Sequence, residues 1–247
     1  QQWFSSHPPM LATRGVFRVG VCRAALRQTK FAHLHQRGQA LKFSSSSLQA
    51  KVDSFRKDVE LHLPRNGGKV VFATAWLATD NVFLALMHQF FPEVLKGLNL
   101  VAIDTLHLFP ETLECAKQVQ DKYGKAALWK FPKDASTLDE FVATYGMAED
   151  MDSADFDFVS KVEPFQRALA ECQKDILITG RRMDQAAQRI ELAVWEDGKR
   201  TLNPMVGFSW SDILDCVDEY GVPINRGHNY AFRCTSPIEA TKRHLPD

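Results

Sequence analysis

Acidic residues are missing from the first 52 positions, which carry eight Lys or Arg and no Asp or Glu. The formal net charge of zero therefore hides an asymmetry, because the remaining residues hold 22 basic and 30 acidic side chains, a net of −8. An acidic body argues against general nucleic-acid binding, which needs a broad basic surface. An anionic ligand must instead be met in a local pocket. The five cysteines, Cys22, Cys115, Cys172, Cys216 and Cys234, include no Cys-x-x-Cys pair. Neither a zinc site nor a disulfide framework is indicated. No run approaches the roughly 18 consecutive apolar residues of a membrane span, and no internal repeat is visible.

What is present is enough for a sizeable core: 247 residues, 45% hydrophobic and 11% aromatic. That length gives one large domain or two small ones. Residues 1–47 are Arg-rich, acid-free and end in Ser44-Ser45-Ser46-Ser47. Organelle transit peptides have this composition, so a plastid or mitochondrial targeting segment is expected, with a basic disordered arm as the alternative. The first residue is Gln rather than Met, and the chain is expected to begin inside a longer reading frame. Fold reasoning starts at residue 48, and 48–247 is expected to be one α/β domain.

An amphipathic helix is predicted over 48–62, with Leu48, Val52, Phe55 and Val59 on one face. Asn66-Gly67-Gly68 turns the chain into a strand, Lys69 to Ala73. The stretch Thr74-Ala-Trp-Leu-Ala-Thr-Asp-Asn81 follows, and then a helix from about Val82 to Phe91. A strand, a small hydroxyl-bearing loop and a helix N-terminus together form a phosphate-binding arrangement, here without a glycine. Thr79 or Asp80 is expected to cap the helix.

A second apolar strand, Leu98 to Ile103, ends in the polar pair Asp104-Thr105. Pro110 and Glu111 suit a helix first turn, and that helix is expected to stop at Gly124. Polar groups at the carboxyl end of a parallel strand lie where open α/β sheets bind ligands; satisfying the turn's own backbone is the equally weighted alternative for Asp104 and Thr105. A short strand is expected over Ala126 to Phe131, then a helix opened by Ser136. Residues 156–173 read as helical with a break or new start at Pro164. Lys161 in this stretch is either an anion contact or a solvated surface lysine.

A further strand, Asp175 to Thr179, runs into Gly180-Arg181-Arg182-Met183-Asp184-Gln185-Ala-Ala-Gln-Arg189. On a helix, Arg182, Gln185 and Arg189 share a face, and arginine forks suit phosphate and sulfate oxygens. A salt-bridged helix surface is the alternative. Asp197-Gly198 marks a hairpin, Ser209 caps a helix from Trp210 to about Tyr220, and Gly221 ends it. Cys115, Cys172 and Cys216 fall in helical patterns and are expected to be small core residues. Strands alternate with helices throughout, which predicts a doubly wound, mainly parallel sheet flanked by helices.

Four stretches together resemble the phosphoadenylylsulfate (PAPS) reductases, particularly the fungal type. They are Ile103-Asp-Thr-Leu-His-Leu-Phe-Pro-Glu-Thr112, Lys161-Val-Glu-Pro-Phe-Gln-Arg-Ala168, Thr179-Gly-Arg-Arg-Met-Asp-Gln185 with Arg189, and Leu202-Asn-Pro204. The resemblance covers roughly residues 50–235. It implies an adenine nucleotide α-hydrolase-like fold and thiol-dependent reduction of a sulfonucleotide to sulfite and adenosine 3′,5′-bisphosphate in sulfate assimilation. It implies thioredoxin or glutaredoxin as reductant, and no bound cofactor. Carried over by position, it puts Asp104 and Thr105 at the nucleotide and Thr74 in the phosphate-facing loop. Lys161, Arg181, Arg182, Gln185 and Arg189 would then contact the anionic part of the substrate. No nucleic-acid or membrane partner is expected, and a homodimer is compatible with the reading.

The chain departs from the family at several places. The family's nucleophilic cysteine lies in a Glu-Cys-Gly-x-His motif that does not occur in this sequence, and the chain is expected to stop short of it. Trp76-Leu77 stands where an aromatic residue and glycine are usual. Leucine there is expected to obstruct close backbone approach to an anion. Ala186-Ala187 replaces a Ser/Gly pair. Cys234 lies where iron–sulfur relatives have the first cysteine of a pair, but Pro237 takes the partner position and residues 155–160 lack the other pair. No four-cysteine cluster is therefore expected. The competing reading is a divergent, non-catalytic nucleotide-binding or interaction protein on the same fold. An adenylyl transferase of that superfold would need a Ser-Gly-Gly-x-Asp-Ser loop, which residues 74–81 do not supply.

Overall fold

The computed structural model of the chain describes residues 47–65, 69–185 and 191–225. Arg189 and Cys234, both singled out in the sequence, lie outside these residues, as does the 1–46 stretch.

The first element, α1 (47–62), buries the expected stripe of Leu48, Val52, Phe55 and Val59. The elements then alternate: β1 (Val70–Thr74), α2 (Ala78–Phe90), α3 (Pro92–Gly97), β2 (Asn99–Ile103), α4 (Pro110–Tyr123), β3 (Leu128–Lys130) and α5 (Leu138–Tyr145). Next come α6 (Ser153–Asp157), a π-helical turn (Phe158–Val162), α7 (Glu163–Glu171), β4 (Ile176–Ile178), β5 (Trp195–Glu196), β6 (Thr201–Leu202) and α8 (Trp210–Tyr220). The sheet order is β3-β2-β1-β4-β6-β5. Every pairing is parallel except β5 with β6. That edge hairpin turns at Asp197–Lys199, around the predicted Asp-Gly. Successive strands step outward from β1 through β2 to β3, whereas β4 lies on the other side of β1. The carboxyl ends of β1 and β4 therefore flank the point where the winding reverses, which is where such sheets bind ligands.

Burial explains the sheet's position. Strand β1 is flanked by neighbours on both edges, and Val70, Val71 and Phe72 are all inaccessible to solvent. A strand covered on both faces reads as a continuous apolar run rather than an alternating one. Helix α2 is more deeply buried than its pattern implied, with ten successive residues from Ala78 to Met87 inside. It begins four residues before the predicted start. Its first turn carries Thr79, Asp80 and Asn81, polar residues that are nonetheless buried.

Several helix ends follow the sequence. Pro110 opens α4, and Gly124 closes it in the left-handed conformation at φ 61°. Ser209 accepts the amide of Asp212 to start α8, which Gly221 ends at φ 58°. The break expected at Pro164 appears as the π-helical turn before α7, with Pro164 in that helix's first turn; lacking an N–H, proline is accommodated there without a lost bond. Two expectations shift. Thr137 rather than Ser136 caps α5, and Glu140 accepts from the backbone of both. The third strand is three residues long rather than six. Among the described residues, no helix is long and apolar enough to cross a membrane.

Candidate functional site

The loop after β1 is built around Asp80. Thr74, at the end of the strand, accepts the amide of Trp76 at 2.9 Å. Trp76 adopts φ 60° and is 1% exposed, with its indole against Trp129 of β3 at a 5.6 Å centroid separation. A bulky residue in the left-handed region is strained, and the buried ring packing holds it there. The turned chain aims two amides inward: Oδ2 of Asp80 accepts from Ala75 at 2.9 Å and from Leu77 at 3.4 Å. Leu77 precedes α2 in extended conformation, so Asp80 caps the helix by reaching back from its third position. Thr79, the other candidate cap, is used differently.

Beside this loop, β4 runs out through Thr179 and Gly180. A Cβ at Gly180 would stand 2.1 Å from Oδ1 of Asp80; only glycine allows this approach. Arg182 is 5% exposed. Its guanidinium donates to the Thr79 hydroxyl and, at 2.9 Å, to Asp184, and it lies 5.4 Å from the Trp210 ring centroid. Asp184 also accepts the amide of Trp210 at 2.8 Å. One arginine thus ties β4's exit to the N-termini of both α2 and α8. Gln185 closes the turn by accepting the Arg182 amide at 3.1 Å.

The helix expected to carry Arg182 and Gln185 does not form over the described residues, and Arg189 lies outside them. Met183–Gln185 is one 3-10 turn, and Arg182, just before it, folds back beneath α2 instead of projecting from a helix. The pull comes from the buried hydroxyl of Thr79, 103 residues earlier, which local periodicity cannot register, with exposed Asp184 as the second acceptor. Arg181 is also engaged: it donates to Thr179 at 3.0 Å and to Glu196 at 3.2 Å. Bonds from Lys199 and Asn203, together with the Arg181 charge, hold the Glu196 carboxyl below its usual range.

At the neighbouring strand end, Asp104 accepts the amide of Leu106 at 2.8 Å and Thr105 accepts that of His107 at 3.3 Å. Both side chains satisfy the turn, in line with the alternative weighed for them. Burial raises the Asp104 pKa above its ordinary value, against the Leu106 bond and the nearby His107. The His107 ring packs edge-on to Phe141 and Phe156. Lys161 joins the same cluster from the π-helical turn, 5.9 Å from the Phe156 ring and 2.8 Å from Asp157. A cavity of about 550 Å³ opens beyond β3, lined by Trp129, Lys130, Lys133, Ser136 and Arg167 among others. It adjoins the Asp104 turn, whose amide bonds the Lys130 carbonyl at 2.8 Å. Its volume lies within the range that small-molecule ligands occupy.

The structure therefore brings Thr74, Arg182 and Gln185 to the carboxyl ends of β1 and β4, puts Asp104 and Thr105 one strand over, and leaves Lys161 with the aromatic cluster. The sequence reading saw Asp80 only as a helix cap and gave Gly180 only a sharp turn. The available signal was an acid at the third position of a helix entered from a strand, a spacing that lets a carboxylate reach loop amides.

Comparison with known proteins fits this architecture. The profile of the phosphoadenosine phosphosulfate reductase domain matches residues 69–234. The chain belongs to the phosphoadenosine phosphosulfate reductase family. The enzyme of that name from Emericella nidulans is 31% identical over 177 residues, which are 67% of this chain and 58% of that protein. The Saccharomyces cerevisiae enzyme is 27% identical over 182 residues, 69% of this chain and 67% of that one. The chain thus spans little more than half the length of the Emericella protein. Among solved structures, the PAPS reductase of Candida auris in its phosphate complex superposes with a TM-score of 0.59 at 25% identity, covering 75% of this chain and 93% of that one. The U34-tRNA thiolase of Methanococcus maripaludis, at 15% identity and a TM-score of 0.52, covers 79% of this chain and 72% of its own and shares the fold. Together with the sheet order, these matches bear out the adenine nucleotide α-hydrolase-like fold for this PAPS reductase family member.

Proposed function

We propose that this chain binds a phosphoadenylyl-type sulfonucleotide at the carboxyl edge of its sheet and serves the thiol-dependent reduction of that ligand in sulfate assimilation. The family match over residues 69–234 carries the reading. The polar loops at the ends of β1, β2 and β4, gathered at the winding reversal, support it. In the proposed reaction a thiolate attacks the sulfate sulfur and the S–O bond to the phosphate breaks. Adenosine 3′,5′-bisphosphate departs and an S-sulfocysteine remains. A thiolate of thioredoxin or glutaredoxin then attacks the cysteine sulfur and sulfite leaves with the bonding pair, giving a mixed disulfide; the reductant's second thiol attacks its own sulfur in that bond, releasing the cysteine thiolate and closing the reductant's disulfide. Arg182, Thr74 and the loop amides are the proposed anion-facing groups, with Arg189, Lys161 and Arg181 as further candidates and Asp104 and Thr105 at the nucleoside side.

The described cysteines are poorly suited to be the nucleophile. Burial pushes the Cys216 thiol up to about 12 and raises those of Cys115 and Cys172, and only the thiolate is reactive. The second reading, a nucleotide-binding protein without turnover, is supported by the altered Trp76-Leu77 loop. Two measurements test the pair. Calorimetry with adenosine 3′,5′-bisphosphate and 5′-AMP is expected to give micromolar binding that favours the bisphosphate. Absence of binding to both would overturn the nucleotide reading. Sulfite release from PAPS with reduced thioredoxin separates a reductase from a binder.

A further inference from the structure

Asp80 lies buried at the carboxyl ends of β1 and β4 with its carboxylate turned towards the β1–α2 loop. Its Oδ2 takes the amides of Ala75 and Leu77. The Thr74 hydroxyl bonds the same carboxylate, and the Arg182 charge acts on it. Its other oxygen faces Gly180 so closely that a methyl group could not fit between them. Two convergent backbone amides, a hydroxyl and a guanidinium at a helix N-terminus are the parts of an oxyanion site. Here the amides and the hydroxyl are taken by a side chain of the protein itself, and the guanidinium acts on it through its charge alone.

We propose that Asp80 is an internal anion that competes with the ligand's phosphoryl or sulfuryl group for the loop, so that the group enters only when Asp80 is neutral. This rests on the nucleotide-binding reading above and adds to it a determinant of affinity. Two negative groups cannot share one set of donors without a large repulsive cost in a buried setting. The Asp80 carboxyl is 6% exposed, and burial raises its pKa to about 6 even against the bonds from Ala75, Leu77 and Thr74 and the charge of Arg182. The charged group that acts on it is Arg182, which divides its donors between Thr79 and Asp184. A proton therefore reaches Asp80 readily near neutral pH, and a bound anion would favour that proton further. Ligand binding at pH 8 then carries the uptake of one proton, and affinity falls as pH rises above about 6.

The test uses the full chain and adenosine 3′,5′-bisphosphate. Calorimetry at pH 8 in two buffers of different ionisation enthalpy reads the protons taken up, with a value near one expected for the wild-type protein. Asp80→Asn, which keeps the side chain's shape, is expected to bind at least tenfold more tightly at pH 8 and to take up no proton. Comparing the variant with wild type at each pH removes the ligand's own phosphate titration. Wild-type binding without proton uptake, or equal affinities for the two proteins, would overturn the inference while leaving the nucleotide site standing. Failure of the bisphosphate to bind either protein at pH 6 or pH 8 overturns both. If Asp80→Asn does not fold, the proton count on the wild-type chain decides alone.

Discussion

Gly180 and Asp80, a hundred positions apart, meet so closely that a Cβ on Gly180 would lie 2.1 Å from Oδ1 of Asp80. The first prediction follows from that contact. Gly180→Ala is expected to destabilise the fold by about 2–3 kcal/mol, the cost of overpacking a site that cannot relax. Asp80→Gly has its own cost, since it removes the loop's acceptor, but the double variant should lose less than the sum of the two single losses. Urea unfolding of the single and double variants measures the coupling; additive losses would show that the contact is not the cause.

Asp80 also sets a pH dependence. Its pKa is about 6 in the folded chain, against an ordinary 3.8. The native state therefore binds more protons than the unfolded state between those values. This group's stabilising effect is complete below about pH 4 and is lost as pH rises through 6. At 1.36 kcal/mol per unit, the loss is on the order of 3 kcal/mol. The difference in unfolding free energy between wild type and Asp80→Asn, followed from pH 4 to 8, should shift in favour of the variant as pH rises. A pH-independent difference would contradict the assignment.

Arg182 holds three elements at once. Arg182→Ala removes a buried cation from Thr79, Asp184 and the Trp210 face, and leaves Asp80 without its countercharge. A loss of about 3 kcal/mol is expected, typical of breaking a buried pair. Arg182→Lys should restore little, because a point charge cannot bond two acceptors in the guanidinium's plane. Chemical denaturation of both variants provides the check, with full recovery by lysine the adverse result.

Lys51 of α1 meets Asp212 of α8 at 2.5 Å. Burial alone would raise the Asp212 pKa, but the bonds from Lys51 and Ser209 outweigh it and hold the carboxyl below 3.8. The stabilisation is thus present above about pH 4 and fades as pH falls through the lowered pKa. Lys51 remains about a third exposed, so Lys51→Ala is expected to cost only about 1 kcal/mol at pH 7. Thermal melts at pH 7 and pH 3 should show the gap closing in acid.

Cys115 and Cys216 are buried and their thiol pKa values are raised. In the folded protein at pH 7.5, peptide-resolved alkylation should leave both unmodified for as long as the chain stays native. Rapid labelling of Cys216 under native conditions would refute its assignment as an inert core residue.

Much of this architecture was legible in order along the chain. The α1 stripe, the Pro110 start and Gly124 stop of α4, the Ser209 cap and the Asp197-Gly198 hairpin rest on interactions within a few residues, so sequence spacing reports them. The strands were found because a doubly covered strand must be apolar throughout. Their lengths were overestimated where apolar residues continue beyond the hydrogen-bonded ladder, as at Ala126–Phe131. The family resemblance was carried by four separated motifs, and the match over residues 69–234 agrees with it.

The site was less legible. Arg182, Gln185 and Arg189 were grouped by helical periodicity, but Arg182 turns back to Thr79, 103 residues earlier in the chain. Asp104 and Thr105 stood out as polar residues at a strand end, and only the turn geometry showed how their oxygens are used. By itself the sequence determined the alternation of strands and helices, the family and the loops that gather at one edge of the sheet, because these follow from local pattern and composition. The tertiary structure decided which charge faces which. The partners of Asp80 and Arg182 come from strands whose adjacency is created by folding, and burial at that junction sets the energy of every charge placed there.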